Sequence, residues 1–451
     1  MRHSVVMTGT ALAEVTAAVA GYARRLHRAA GECHHVASPL GAWLLLALCG
    51  PASSGAARAE LAEVLGLDVE QAAAAAGRLL SAPHPLVAAA AGVWRREDVQ
   101  TEALSRWLAS LPATVDTGVL TGQAALDDWA RRNTLGLIER FPVELTDETV
   151  LMLGTALATK ISWAEPFDVA PASALGPHSP WAGTLSRVLR TPQPTWGHTQ
   201  FIAADGQIGD VAVHTARAQD GLRVTSVAAR SGVPAADVLA AACRLASAIA
   251  TFGPVARRSL FTLPLGAAPL WEITEHRVRT TAPDGREEHC TAVLPAWSAD
   301  SMHELSGHPG LGFGAAAATL ATLAGLDEFV CEARQAAVAR YSRTGFEAAA
   351  VTGMGVAMGG SPPTRRPGVM RTAELRFGQP YAVVAVTTNP DQRGGLPVTS
   401  PWRGLPVFSA WITQPEDADD PAMDRIRRIS HVARGEWNSL ATRTDRPVPR
   451  A

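Results

Sequence analysis

Cysteine is scarce in this sequence, which has five cysteines among 451 residues. No two of them form a C-x-x-C pair, so their spacing argues against a zinc knuckle and against a dense disulfide framework. We expect buried free thiols instead. The five residues are Cys33, Cys49, Cys243, Cys290 and Cys331.

An excess of charge of either sign is also missing. The sequence has 40 lysines and arginines against 42 aspartates and glutamates, which gives a formal net charge of -2. Such a balance creates no overall field that would gather polyanions or anionic lipid. We therefore expect no nucleic-acid partner and no membrane partner.

Long apolar runs are absent as well, because no stretch is long and apolar enough to span a membrane. A secretory signal needs an unbroken apolar run after a basic start. Glu14, Arg24, Arg25 and Arg28 interrupt the apolar positions of residues 8–30. The sequence therefore predicts a cytoplasmic protein, with unconventional export as the alternative.

The common catalytic motifs are missing too, since there is no G-x-S-x-G elbow, no H-E-x-x-H helix and no P-loop lysine. The glycine-rich segments 310–314 and 353–355 lack the strand-turn-helix context of a dinucleotide site. We predict no enzyme, no cofactor and no metal. Four histidines without carboxylates or cysteines at ligand spacing are interpreted as surface or capping residues: His34, His35, His303 and His308.

Helical and strand patterns are mixed along the chain. Apolar residues recur at three- and four-residue steps in several segments, and Ser38-Pro39 supplies an N-cap and a first-turn proline. Helices are predicted at 12–26, 39–48, 57–65, 104–111, 124–141, 235–249 and 310–323. Strands are predicted at 86–94, 149–163, 332–351, 381–387 and 405–412, with short β-like pieces between about 165 and 290.

Residues 353–371 contain eight glycines and prolines. That number of breakers is incompatible with a regular element and predicts a long exposed loop.

The C-terminal region begins with an acidic turn after Pro415 and continues as a basic amphipathic helix. We expect this helix to pack onto the body, with a partner-binding helix as the alternative. Its apolar side consists of Met423, Ile426, Ile429 and Val432. Because there is no repeat and no low-complexity linker, we predict one domain, 1–415, and a C-terminal extension, 416–451, with one helix.

Five stretches, in the correct order, resemble motifs of the serpins, the serine protease inhibitor family. The first is Ser38-Pro39-Leu40 followed by 59–65, which resembles S-P-x-S and A-x-x-E-(I/L/M)-x-x-x-L. The second resembles W-x-x-x-x-T-x-G-x-I and consists of Trp129, Gly136, Ile138 and Pro142. The third resembles N-A-(I/L)-Y-F-K-G-x-W-x-x-P-F and consists of Thr155, Ala156, Leu157, Lys160, Trp163, Pro166 and Phe167.

The fourth stretch resembles the hinge motif G-T-E-A-A-A-A-T of the family and lies at 345–352. The fifth resembles the closing strands of the family and consists of Phe377, Pro380, Tyr381, Phe408 and Pro415. The match extends from about residue 10 to 415 and is thin between 170 and 290. The chain therefore resembles a divergent, bacterial-type serpin.

This resemblance implies an α+β serpin fold with three β-sheets, about eight or nine helices and an exposed reactive-centre loop. In the family a target protease cuts the loop, and the hinge side then enters the main sheet as a new strand. The implied function is inhibition of a serine or cysteine endopeptidase by a monomeric suicide substrate whose partner is the protease. A non-inhibitory scaffold, or a serpin fold recruited to a biosynthetic enzymatic role, is the alternative.

The hinge implied by the resemblance consists of Gly345, Phe346, Glu347, Ala348, Ala349, Ala350 and Thr352. The alanines suit insertion because a strand entering a formed sheet must pass packed side chains. Phe346 departs from the small family residue, and overpacking costs about 1–3 kcal/mol. Gly353, Gly355 and Gly359 would each weaken an inserted strand by roughly 0.5–1 kcal/mol.

The region that controls sheet opening in serpins also departs from the family pattern. Thr155 stands where the family has Asn, Gly41 where it has Ser, and Gln335 where it has His. Arg343 stands where a hinge Glu is usual. The implied opening region consists of Ser38, Thr155, Lys160, Trp163 and Gln335.

Two positions remain open for the scissile bond. Counting from the hinge places it at Met358-Gly359 or Gly359-Gly360, and we favour this site, where Met358 would suit a protease with an apolar pocket. The loop is longer than usual, so the basic pair Arg365-Arg366 is the second candidate.

Overall fold

The structure is a computed structural model that describes residues 9–218, 221–346, 366–389 and 400–419. These residues form eight α-helices: α1 (Gly9–Ala30), α2 (Pro39–Cys49), α3 (Gly55–Leu65), α4 (Val69–Ser81), α5 (Glu102–Ser110), α6 (Gln123–Asn133), α7 (Ala235–Thr251) and α8 (Phe313–Ala324). Short 3-10 helices lie at Gly50–Ala52, Ala172–Leu175 and Leu260–Thr262. Of the helices described, none combines the length and apolarity that a membrane crossing needs.

The strands of the first half are β1 (His35–Ala37), β2 (Ala88–Arg95), β3 (Val115–Val119), β4 (Leu151–Ala158), β5 (Ile161–Ser162), β6 (Asp168–Pro171), β7 (Arg187–Arg190), β8 (His198–Asp205), β9 (Gly209–Arg217) and β10 (Leu222–Ala228). The later strands are β11 (Gly266–Ala267), β12 (Trp271–Thr280), β13 (Arg286–Leu294), β14 (Trp297–Glu304), β15 (Arg334–Tyr341), β16 (Gly345–Phe346), β17 (Arg366–Arg376), β18 (Tyr381–Thr387) and β19 (Pro406–Ile412).

Local sequence explains several helix ends. The Ser38 hydroxyl accepts a hydrogen bond from the Gly41 amide at 3.2 Å and caps α2, which begins with Pro39. Thr101 caps α5 in the same way. Helix α3 ends at Leu65 and is followed by the C-cap residue Gly66, whose φ of 67° is accessible to glycine without strain.

The first sheet has the strand order β1-β19-β18-β10-β9-β8, and every neighbouring pair is antiparallel. Strands β18 and β19 are buried along their whole length, which explains their continuous apolar sequences. Helix α7 packs on this sheet, where Leu239 joins Val384 and Trp411 in one apolar cluster. Burial of these faces supplies much of the driving force for folding, at about 25 cal/mol per Å² of apolar surface.

The second sheet has the order β11-β12-β17-β13-β7-β6. Strand β17 lies between β12, to which it is antiparallel, and β13, to which it is parallel. The segment that follows the predicted loop is therefore hydrogen-bonded on both sides.

The third layer is divided. One part is the sheet β3-β2-β4, and a second part is the two-stranded ribbon β14-β15, hereafter the ribbon. Strands β5 and β16 form a short third pair. The described strands thus form five hydrogen-bonded sheets, because the third sheet expected from the resemblance is divided. The predicted α+β architecture with several sheets is confirmed, and the eight described helices agree with the predicted number.

The structure corrects three element boundaries. The strand predicted over 332–351 ends at Tyr341, where the chain reverses. The loop predicted over 353–371 extends too far, since β17 begins at Arg366. The helix predicted over 124–141 ends at Asn133, because Leu135 and Gly136 take φ angles of 55° and 77°.

All five cysteines are free thiols, as predicted. Cys49 and Cys243 are buried, Cys290 and Cys331 are half-buried and Cys33 is exposed, so the expectation of burial is confirmed for only two of the five.

Candidate functional site

A slot separates β4 from the ribbon. In the described part of the chain β4 pairs only with β2, and β15 pairs only with β14, so each has one edge without a strand partner. Both strands run towards Trp163 and Tyr341, whose ring centroids lie 5.0 Å apart at what we call the upper end. The slot opens into a cavity of about 840 Å³. Its lining includes Thr155, Leu157, Phe313, Leu320, Ala336 and Val338.

The first turn of α2 bridges the slot. From β15, the Gln335 amide oxygen accepts from the Ser38 backbone N–H at 2.9 Å, and its Nε2 donates to the Ser38 carbonyl at 2.9 Å. From β4, the Thr155 hydroxyl donates to the Gly41 carbonyl at 2.8 Å. The structure thus brings together Ser38, Thr155 and Gln335 of the implied opening region, and both edges of the slot are tied to one helix end.

The departures from the family pattern are compatible with this bridge. A carboxamide carries both a donor and an acceptor, so Gln335 satisfies two backbone groups at once. The Ser38 hydroxyl also donates to the Val407 carbonyl at 2.9 Å in β19. A Cβ added at Gly41 would lie 3.2 Å from the Ser38 hydroxyl and 3.3 Å from Leu157, so the site is tightly packed.

The upper end of the slot is closed by Trp163. Its indole Nε1 donates to the Ser342 carbonyl at 2.9 Å, and its backbone N–H donates to the Thr344 carbonyl at 3.1 Å. Its ring packs on Tyr341 and on Phe167, with centroid distances of 5.0 and 6.2 Å. Trp163 is 2% exposed, so these contacts are shielded from water.

The chain reverses direction directly after β15. The Ser342 N–H and hydroxyl both donate to the Gly345 carbonyl, at 3.0 and 2.8 Å. Gly345 and Phe346 then pair antiparallel with Ser162 and Ile161. A Cβ at Gly345 would lie 2.2 Å from the Ile161 carbonyl oxygen, so only glycine allows the backbones to approach this closely.

The remaining implied site residues divide into two groups. Lys160 is exposed between β4 and β5, and Arg366 is the exposed first residue of β17. Outside the described residues lie Glu347, Ala348, Ala349, Ala350, Thr352, Met358, Gly359, Gly360 and Arg365.

A buried cluster of aromatic and histidine side chains packs against Trp163 at the upper end of the slot. Phe167 lies 4.4 Å from the His198 ring by centroid distance. His198 Nδ1 and His214 Nε2 share a hydrogen bond at 3.1 Å. Burial lowers the pKa of both histidines, His214 most strongly, so the neutral forms are favoured.

A second buried cluster lies beside the bridge and was missed in the sequence. His27 and His35 share a hydrogen bond at 2.8 Å, and the His35 and His303 ring centroids are 5.6 Å apart. Burial lowers the pKa of all three, to about 4 for His35. The interpretation of His35 as a surface or capping residue is wrong, since its side chain packs inside and is 3% exposed.

This second cluster is joined to the opening region through the backbone. The His303 Nε2 bonds to the Val36 carbonyl at 2.7 Å, two residues before Ser38. His303 is also directly opposite Gln335 in the ribbon. The histidines at 27, 35 and 303 were a weak signal, since only the fold brings them together.

Two six-stranded sheets, a divided third layer with an open slot, and a chain reversal that starts a new strand together define the serpin fold. Comparisons with known proteins agree at the level of structure. No family model matches the sequence, and no curated protein matches it.

Solved structures do match over nearly the whole chain. Human thyroxine-binding globulin, in a complex with thyroxine, is 13% identical with a TM-score of 0.56 and covers 90% of this chain and 100% of its own. Serpin48 from the insect Tenebrio molitor is 14% identical, with a TM-score of 0.53 and coverages of 89% and 98%. Tengpin, a thermophilic serpin in its native state, is 12% identical, with a TM-score of 0.55 and coverages of 92% and 96%.

Proposed function

We propose that this chain is a serpin-type inhibitor of serine or cysteine endopeptidases, in which a cut loop enters the slot between β4 and β15. The observation that carries the proposal is the pairing of Gly345 and Phe346 with β5. These two residues already run antiparallel along the edge that continues into β4. A strand continued in this direction would run along the open edge.

The observed register defines where each following residue would lie. Phe346 lies opposite Ile161. If the same antiparallel register continued, Ala349 would lie opposite Ala158 at one end of β4, and Val356 would lie opposite Leu151 at the other end. The stretch 347–356 would therefore cover β4 completely, with its alanines at the narrow upper end.

Insertion of this stretch would be strongly favourable. About ten new backbone hydrogen bonds, at about 1 kcal/mol net each, would contribute on the order of 10 kcal/mol. Gly353 and Gly355 together would reduce this by roughly 1–2 kcal/mol. The balance still favours insertion over an exposed loop, and it is of the size needed to distort a trapped acyl-enzyme.

The surroundings of Arg366 favour the scissile bond at Met358-Gly359. Arg366 is already part of β17, opposite Thr280 of β12. A protease cutting at Arg365-Arg366 would need the first residues of this strand as substrate, and it would have to remove them from the sheet. A cut after Met358 leaves 347–358 free, which is long enough to fill the slot.

The proposal is tested by cutting the loop and recording a melting curve. The wild-type chain should gain many degrees in melting temperature after the cut. Ala350→Pro should abolish the gain, because proline lacks the N–H and does not fit inside a central strand. The same change at a residue beyond the cut, Thr364→Pro, is the matched control and should keep the gain. The same change in melting temperature in the wild type and in both variants would count against insertion.

Inhibition itself is tested by mixing the protein with a panel of serine and cysteine proteases. A covalent complex that survives boiling in detergent is the expected result.

A non-inhibitory scaffold is the second candidate, and Phe346 favours it because a bulky residue stands at the start of the inserting strand. The cavity of about 840 Å³ is also within the size range of small-molecule sites. The human thyroxine-binding globulin structure contains thyroxine. Cleavage without a gain in melting temperature would support this candidate.

A further inference from the structure

The outer face of the ribbon is a second surface, which shares Ala336 and Val338 with the lining of the slot cavity. Alternation along β14 directs Ser298, Asp300, Met302 and Glu304 outwards, and all four are exposed. Met302 is 59% exposed. Their partners across the ribbon are Arg340, Val338, Ala336 and Arg334. No described helix makes an extensive contact with β14 or β15.

The face combines an apolar centre with two carboxylates, of which Glu304 already accepts hydrogen bonds from Ser306 and Gly307. Its two arginines are neutralised, since Arg340 pairs with Asp419 at 3.5 Å and Arg334 with Glu332 at 2.6 Å. Within the described ranges neither Asp300 nor Glu304 forms an ion pair with an arginine or lysine. An apolar surface flanked by carboxylates fits an apolar partner flanked by basic residues.

The last described residues of the chain, around Glu416 and Asp419, lie next to this face. The Glu416 N–H donates to the Ala296 carbonyl at 2.7 Å, and the Ser298 hydroxyl donates to the Glu416 carboxylate. The Asp419 carboxylate then lies beside Arg340. The last described residues therefore cross the upper end of the ribbon from β14 to β15.

The sequence that follows complements the face. Asp420-Pro421 is a helix-start signal, and 422–434 carries the apolar stripe noted above with four arginines and one aspartate. A helix of that length spans about 20 Å at 1.5 Å per residue. The ribbon spans about 26 Å at 3.3 Å per residue over eight residues.

We propose that residues 420–434 bind the outer face of the ribbon as a basic amphipathic helix. Ile426 and Ile429 would cover Met302 and Val338, and the arginines would neutralise Asp300 and Glu304. This interaction differs from the proposed loop insertion, because the helix would lie on a face of the ribbon whereas the loop would pair with the free edge of β15, and the two share Val338.

Cross-linking in the full-length chain tests the contact directly. A disulfide should form readily in a variant with Ile429→Cys and Met302→Cys, and peptide mass spectrometry identifies it among the native thiols. The matched control combines Ile429→Cys with Leu265→Cys, since Leu265 is 52% exposed but belongs to another part of the surface. Equal yields in the two variants would overturn the proposal.

Hydrogen exchange gives a second test that needs no cysteine. Arg425→Glu with Arg428→Glu should speed exchange of the β14 and β15 amides severalfold. Adding Asp300→Arg with Glu304→Arg should restore slow exchange, because the charges are then reversed on both sides. Ribbon amides that exchange at the same rate in the wild type and in the first variant would refute the contact.

Discussion

The bond between Thr155 and α2 should control how fast a strand enters the slot. Thr155→Val keeps the shape of the side chain and removes the hydroxyl that donates to the Gly41 carbonyl at 2.8 Å. A matched change exists directly after the same strand, because the Thr159 hydroxyl donates to the Leu86 carbonyl at 2.7 Å, two residues before β2. Only the first bond spans the slot.

Both substitutions should cost a similar amount of stability. Each removes one hydrogen bond worth about 0.5–1.5 kcal/mol net. If the Thr155 bond must break before the slot can open, its loss also lowers the barrier to insertion by about 1 kcal/mol. That change corresponds to about fivefold in rate.

The assay has two readings. Urea unfolding gives the free energy of each variant, with an unchanged m-value if the compactness of the states is preserved. The rate at which thermal resistance appears after the loop is cut gives the insertion rate. Thr155→Val should insert about five times faster than Thr159→Val. Equal insertion rates at equal stability would refute the role of the bridge.

Three further outcomes are expected. Gly345→Ala should expose the hinge to proteases, because its Cβ would lie 2.2 Å from the Ile161 carbonyl, whereas Gly206→Ala, with nothing within 4 Å, should not. Trp163→Phe should lower the unfolding free energy by about 1–3 kcal/mol, measured in urea, since a buried carbonyl loses its donor. Stability should fall as the pH drops from about 6.5 towards 4, because the pKa of His35 is about 4 in the fold and the unfolded chain binds more protons in that window. The loss should reach about 3 kcal/mol, and His35→Gln should flatten the pH profile.

The sequence was most informative where signals are local. The Ser38-Pro39 pair placed the start of α2, and the continuous apolar runs placed β18 and β19. Helix α4 was missed because its alanines at 72–76 carry little periodicity, although Asp68 is an N-cap whose side chain accepts from the Glu70 amide. The resemblance grouped Ser38, Thr155 and Gln335, which the fold brings together at the start of α2, and no periodicity or spacing in the sequence indicated that contact.

Features that depend on distant partners could not be predicted. The reversal after Tyr341 has no proline to mark it, and it depends on Trp163, 179 residues away in the chain from Ser342. The burial of His27 depends on Ser409, 382 residues later. Composition describes each histidine separately, whereas the fold determines whether its side chain is exposed to water or packs against another ring.

The position of β17 between β12 and β13 determines what a cut loop would do to the molecule. The downstream piece would carry β17, β18 and β19, which are interior strands of both six-stranded sheets. A nicked chain would therefore remain a single particle of unchanged mass under native conditions. Its two pieces would separate only in denaturant, so size measurements on the native protein would not register the cut.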